Sequence, residues 1–250
     1  MRSLLAASCT TLGLLLSAHS LAQDATDIPR VKVEASRLIT ELPYRHYLEI
    51  QHQLHRYLPP EPHLVDLWFR IGYPRMHEPE RDARPAAEQG VVVRSRSVDE
   101  TVTVRRGAYF SLPAIQAAYD ESGEILLNGV GRGWLGIWWT LRVPDDRRMR
   151  YADIRDARDQ LTAVQHRISA FANALRTVKR EPYDGIKACF HDDSGAILIG
   201  GQAVADAVEG HCKIHYSDPA RAADEVVEFS GPLDAVSFID RRYYQRKGQD

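Results

Sequence analysis

The clearest periodic signal lies just past the middle of the chain. Ile154, Ala157, Leu161, Val164, Ile168, Phe171, Leu175 and Val178 recur at alternating steps of three and four. That spacing puts all eight on one seam of a helix. It predicts a helix from Tyr151 to Val178, roughly 42 Å long at 1.5 Å per residue. The small Ala157 on the seam and the flanking Ala163, Ala170, Ala172 and Ala174 suit packing across a sheet. A homodimer through the 154–178 seam is the alternative use of the same surface.

The rest of the chain is dominated by short strand-like runs. Val31–Ala35 alternates apolar and polar residues; Pro43 then opens a small helix on Tyr47, Ile50, Leu54 and Tyr57, which Pro59 and Pro60 stop. With Leu64–Ile71 as a strand, this gives an N-terminal α+β unit over 23–76. Residues 77–90 have no apolar period and read as an exposed linker or loop. A β module over 91–145 follows, with strands at Val91–Val93, Thr101–Val104, Tyr109–Leu112, Ile125–Leu127 and Leu135–Val143. Beyond the long helix (146–179), a C-terminal β module over 180–240 carries Ile186–Phe190, Ala196–Ile199, Cys212–Tyr216, Val226–Phe229 and Ala235–Ile239, and 241–250 is a polar tail. The fold class is therefore α+β: β-rich antiparallel modules, one long amphipathic helix and a small N-terminal helix. Asp120–Gly129 also matches Asp192–Gly201 at a fixed offset of 72. Duplicated modules explain that match, and so do two ordinary hairpins built from the residues tight turns select.

Strand periodicity divides the tryptophan-rich stretch into two faces. Leu135, Ile137, Trp139, Leu141 and Val143 form one apolar face, while Trp134, Gly136, Trp138, Thr140 and Arg142 form the other. Two indoles beside an arginine suit stacking on a sugar ring or another flat ligand, which makes Trp134, Trp138 and Arg142 candidate ligand-binding residues. If the long helix covers this second face instead, both tryptophans belong to the core.

The chain's first residues set the compartment. Arg2, an apolar run over Leu4–Leu16, and the small Ser20 and Ala22 describe a secretory signal peptide over 1–22. Its apolar run is short of the roughly 20 residues that cross a bilayer, and no other segment comes closer, so no stable membrane span is expected. Loss of the leader removes Cys9 and leaves Cys189 and Cys212, which predicts one disulfide in an oxidising, periplasmic compartment. Strand alternation raises one difficulty, because Cys189 shares a face with Lys187 and His191 while Cys212 shares one with Ile214 and Tyr216. The balance of 32 basic and 34 acidic residues offers no electrostatic footprint for nucleic acid.

No motif dictates a reaction or a cofactor. His46, His52 and His55 share the first helix without a His-Glu-x-x-His pattern and read as solvated. Gly129–Gly133 lacks the spacing of a phosphate loop, and the Asp145–Asp146 pair reads as capping of the long helix, with Arg147–Arg150 as a solvated end. Near the C-terminus, His191, His211 and His215 are the alternative metal ligands, with Asp192 completing an acid–base or metal-dependent hydrolase site if the strands bring them together. The leading expectation is an exported, soluble, non-catalytic periplasmic protein with a binding or accessory role in the cell envelope, its partner an envelope protein or a glycan.

Overall fold

The computed structural model of the chain describes residues 38–73, 89–129, 133–172 and 183–241. The leader expected over 1–22, the strand expected at Val31–Ala35, the linker expected over 77–88, the helix expected beyond Ala172 and the tail expected over 242–250 lie outside the described residues.

The described residues run through one series of elements twice. The first half comprises strand β1 (Leu38–Pro43), helix α1 (Tyr44–His55), β2 (Val65–Gly72), β3 (Gly90–Arg94), β4 (Asp99–Val102), β5 (Tyr109–Phe110), a short helix α2 (Gln116–Asp120), β6 (Glu124–Gly129) and β7 (Trp134–Leu141). The second comprises β8 (Arg148–Arg150), α3 (Tyr151–Ala172), β9 (Gly185–Phe190), β10 (Ala196–Ile199), β11 (Gln202–Val204), β12 (Ala207–Glu209), β13 (Cys212–Tyr216), β14 (Val226–Ser230) and β15 (Leu233–Ile239). Apart from α2 and β12, each element of one half has a counterpart in the other.

Sheet order carries the repeat. One four-stranded sheet runs β1-β6-β3-β4 and the other β8-β14-β10-β11, which is the same order with each strand replaced by its counterpart. A seven-stranded sheet, β12-β13-β9-β15-β7-β2-β5, joins the halves. In it β7 and β15 meet antiparallel at Thr140 and Ser237, with β2-β5 on one side and β9-β13 on the other. All the strand pairs are antiparallel, the fold class expected from the sequence.

Side chains and backbone contacts repeat as well. Each half opens with a strand running straight into a helix at a buried tyrosine, Tyr44 or Tyr151. The Tyr44 amide donates to Gly123 O just before β6 (3.0 Å), and the Tyr151 amide to Glu225 O just before β14 (2.8 Å). Both phenols are tied to backbone across the core: Tyr44 donates to Pro113 O (2.6 Å), and Tyr151 accepts from the Asp218 amide (2.8 Å). Val91 and Val93 of β3 answer to Ile197 and Ile199 of β10, all buried in one core. The match at a fixed offset of 72 is not this repeat, because it aligns β6 with β10, whose counterparts are β14 and β3. Nor are its two turns hairpins. Asp120–Gly123 leads from α2 into β6, and Asp192–Gly195 links β9 to β10 in a different sheet.

Helix α3 uses its seam within the chain. Ile154, Ala157, Leu161, Val164 and Ile168 are all buried, and the helix lies against β2, β7 and β8. Those five residues leave nothing to offer a second copy, so sheet packing accounts for this part of the seam. Arg148–Arg150 is a short strand whose arginines stay exposed, as expected of a solvated end, while Met149 points into the core and Arg148 pairs with Glu228 across the ladder at 2.7 Å. Asp146 accepts from the Arg148 amide before that strand (3.1 Å), while Asp153 reaches back to the Arg150 amide (2.8 Å) and takes the capping role expected of Asp145–Asp146. No helix among the described residues is long and apolar enough to cross a membrane.

Candidate binding face

The seven-stranded sheet has one face inside the main core and one outside it. Helix α3 covers the face of β7 carrying Leu135, Ile137, Trp139 and Leu141, which joins Val65, Leu67 and Phe69 of β2 in the core. By alternation, Trp134 and Trp138 of β7 and Arg142 just beyond its end share the other face with Asp66, Trp68 and Arg70 of β2. Trp68 stands directly opposite Trp138 in the ladder, a cross-strand aromatic pair.

Residues 105–110 cross this second face and tie it to three strands. Gly107, at φ 77°, lets the chain turn there, and its carbonyl accepts from Arg70 Nε at 2.8 Å. The Arg70 guanidinium lies 4.9 Å from the ring centres of both Tyr109 and Trp138, between two π-faces. Tyr109 donates to Ser237 Oγ on β15 (3.0 Å), and Arg106 Nη2 donates to His191 O (2.8 Å). Arg105 stacks 4.6 Å above Trp68 and donates to Asp234 O. Beside Trp68 and Arg105 a cleft of about 240 Å³ opens, lined by charges of both signs: Asp66, Arg142, Asp145, Arg147 and Asp234.

Arg142 is spent on its neighbours. It donates to Asp66 through Nε and Nη2 (Nη2–Oδ1 2.6 Å), to Glu61 through Nη1 (2.8 Å), and to Nε2 of His63 (2.9 Å). Because guanidinium only donates, His63 must accept at Nε2 and carry its proton on Nδ1, which faces Glu61 at 3.4 Å. The hydrogen bonds to Asp66, and after them to Glu61, raise the Arg142 pKa, and Arg142 in turn lowers that of Glu61. Sequence periodicity could not find Glu61 and His63. They sit in the turn after α1, outside any repeating pattern.

The three expected ligand residues therefore share a face without forming one site. Arg142 lines the cleft. Trp138 is half-buried under Arg70. Trp134 is 46% exposed at the other end of β7, eight residues or roughly 27 Å from Arg142. Neither tryptophan lies under α3.

No protein-family model, curated protein or solved structure matches this chain.

The C-terminal candidates are dispersed. Asp192 accepts from the amide and hydroxyl of Ser194 within its own turn. Asp193 pairs with His211 Nδ1 at 2.6 Å, whereas His215 Nδ1 pairs with Asp206 at 3.2 Å and its ring meets Tyr151 edge-on. His191 contributes its carbonyl to Arg106. Among the described residues no group of three or more His, Cys, Asp or Glu side chains is placed to hold a metal ion.

Cys189 and Cys212 form the disulfide, directly opposite each other on β9 and β13 and both fully buried. The conflict of faces expected from alternation does not arise, because Lys187 stands opposite Ile214 and is itself 1% exposed. β9 is buried on both faces, and Lys187 lies on the one that holds Cys189, Cys212 and Ile214.

His215 supplies a pH dependence. Burial holds its imidazole below the ordinary value of 6.5, against the opposing pull of Asp206. A histidine lowered in the folded state is protonated more readily in the unfolded chain, so stability falls as pH drops through 6.5 toward the folded value and levels off beneath it. His215→Gln is expected to flatten that decline in urea titrations at pH 7.5, 6 and 5. An unchanged pH slope in the variant would remove His215 as its source.

Proposed function

We propose that this chain is an exported, non-catalytic binding protein of the cell envelope, working in an oxidising compartment such as the periplasm. In this reading it holds a glycan or another envelope protein on the sheet face bearing Trp68, Trp134 and Trp138. The observation that carries the reading is the placement of α3: it packs on the Trp139 side and leaves Trp68, Trp134 and Trp138 on the opposite face, where Trp68 lines a cleft with charges of both signs. Preference for binding over hydrolysis rests on how the acid and imidazole groups are spent, since Asp192, Asp193 and Asp206 each serve a different local partner. The apolar leader and the buried Cys189–Cys212 bond support export.

The test is capture from intact envelope with the tagged mature chain, run beside a Trp68→Ala/Arg105→Ala variant whose folding is checked by circular dichroism. A partner or glycan enriched by the native chain and lost with the variant is the expected result. Equal recovery by both would sink the assignment of the Trp68–Arg105 end of this face. For export, the purified protein should begin at Gln23, and a retained leader would overturn that part.

A further inference from the structure

Trp134 does not simply protrude. Its indole lies across two glycines: a methyl group at Gly72 would fall on Cε2, Cζ2 and Nε1 of the ring, and one at Gly136 would stand 2.7 Å from Cζ3. Neither glycine has a positive φ, so backbone conformation does not call for glycine at either place. Glycine inside a strand weakens it. Two of them, one opposite Trp134 and one two residues along β7, make a bed on which the ring lies flat, with its outer side in solvent.

The repeated architecture shows that the fold does not require this arrangement. β9 and β15 build the equivalent half of the same sheet without any tryptophan, since all four in the chain belong to the first half. At its centre the second half has the Cys189–Cys212 bond and Ala235, where the first has Trp68 and Trp138. A ring laid over a cross-strand glycine recovers part of that glycine's cost, but the counterpart half builds its strands without the arrangement, so the sheet order itself does not depend on it.

We propose that Trp134 on its Gly72–Gly136 bed is a stacking platform for one pyranose ring of a neutral glycan. This rests on the binding role proposed above and names the ligand class. A pyranose has an apolar C–H face that fits a flat, fixed indole, and its hydroxyls need both donors and acceptors around it. A protein partner would cover about 800 Å² of this chain, centred on a cluster of large buried anchors. The exposed large hydrophobic residues among those described, Ile39, Trp134, Val208 and Val226, are instead spread over four strands.

The test titrates the mature protein with maltohexaose, cellohexaose and chitohexaose, following the Trp134 indole N–H by NMR and affinity by calorimetry. At least one should shift that signal. Trp134→Ala should then weaken its binding about tenfold, whereas Trp134→Phe, which keeps a flat ring, should stay within about threefold. Gly136→Ala should weaken binding by tilting the ring while Trp134 itself remains. Silence toward all three sugars at ~10 mM, or binding that survives Trp134→Ala, overturns the platform. An envelope partner lost with Trp68→Ala/Arg105→Ala but kept by Trp134→Ala also overturns it, while leaving the broader binding role intact.

Discussion

Trp139→Ala lowers the unfolding free energy by about 4 kcal/mol, the range for deleting a large aromatic from a packed core. The ring is 2% exposed, on the face of β7 that α3 covers, and it stands opposite the buried Leu67. Removing it discards the transfer energy of the largest fully buried side chain among those described and leaves a void that two strands and a helix cannot close together. For a chain of this size that corresponds to a fall on the order of 10 °C in Tm. Trp134→Ala, with nearly half its surface already in water, should cost about 1–2 kcal/mol. Urea titrations of both variants check the contrast. Equal losses would mean that α3 does not discriminate between the two faces of β7.

Breaking the disulfide has the second large effect. Cys189 and Cys212 close a loop spanning 23 positions that includes β10, β11 and β12, and the chain-entropy model assigns such a loop about 3 kcal/mol. The bond joins residues already opposed in the β9–β13 ladder, so the folded state changes little when it is cut. The effect falls mainly on the unfolded chain, which gains freedom. Cys189→Ala/Cys212→Ala should therefore unfold at lower urea with near-native circular dichroism beforehand. A loss under about 1 kcal/mol would show that the reduced, unfolded chain keeps this segment ordered by other means.

The strands most legible in the sequence are those with a half-buried or wholly apolar pattern. Ala196–Ile199 and Cys212–Tyr216 agree to the residue, and Leu135–Val143 agrees to within two residues at its end. β8, β11 and β12 escaped notice because each has only three residues and is made a strand by its neighbour, and β1 because its six residues run straight into α1 and are held as a strand by the ladder with β6. Arg148–Arg150 extends because β14 offers it a ladder and Met149 a place in the core, not because three consecutive residues carry a β signal. The small helix α2 is likewise held by its surroundings, with Glu121 as the anchor. Hydrogen bonds from Ser95 and Ser97 hold the Glu121 carboxyl at a pKa of about 2.

The candidate site was legible as a list of residues and not as a place. Alternation alone separated Trp139 from Trp134 and Trp138, because side-chain direction in a strand is a local property. Local patterns could not reveal that Arg142 would be consumed by Asp66, Glu61 and His63, that Arg105 would cross over to Trp68, or that Trp134 would rest on a glycine of another strand. Each depends on which strands become neighbours.

Composition and periodicity thus determined that this chain is β-rich and antiparallel, that one helix carries a continuous apolar seam, and which side of β7 is apolar. Those are consequences of spacing along a regular backbone, and they hold whatever the chain packs against. The tertiary structure decided the rest: which face the seam covers, that the two cysteines are ladder partners, and that the two halves repeat one strand order beneath sequences that do not match at a fixed offset. Pairing joins residues far apart in the chain, and the core asks its partners only for apolar volume at a given place. Very different sequences can meet that demand.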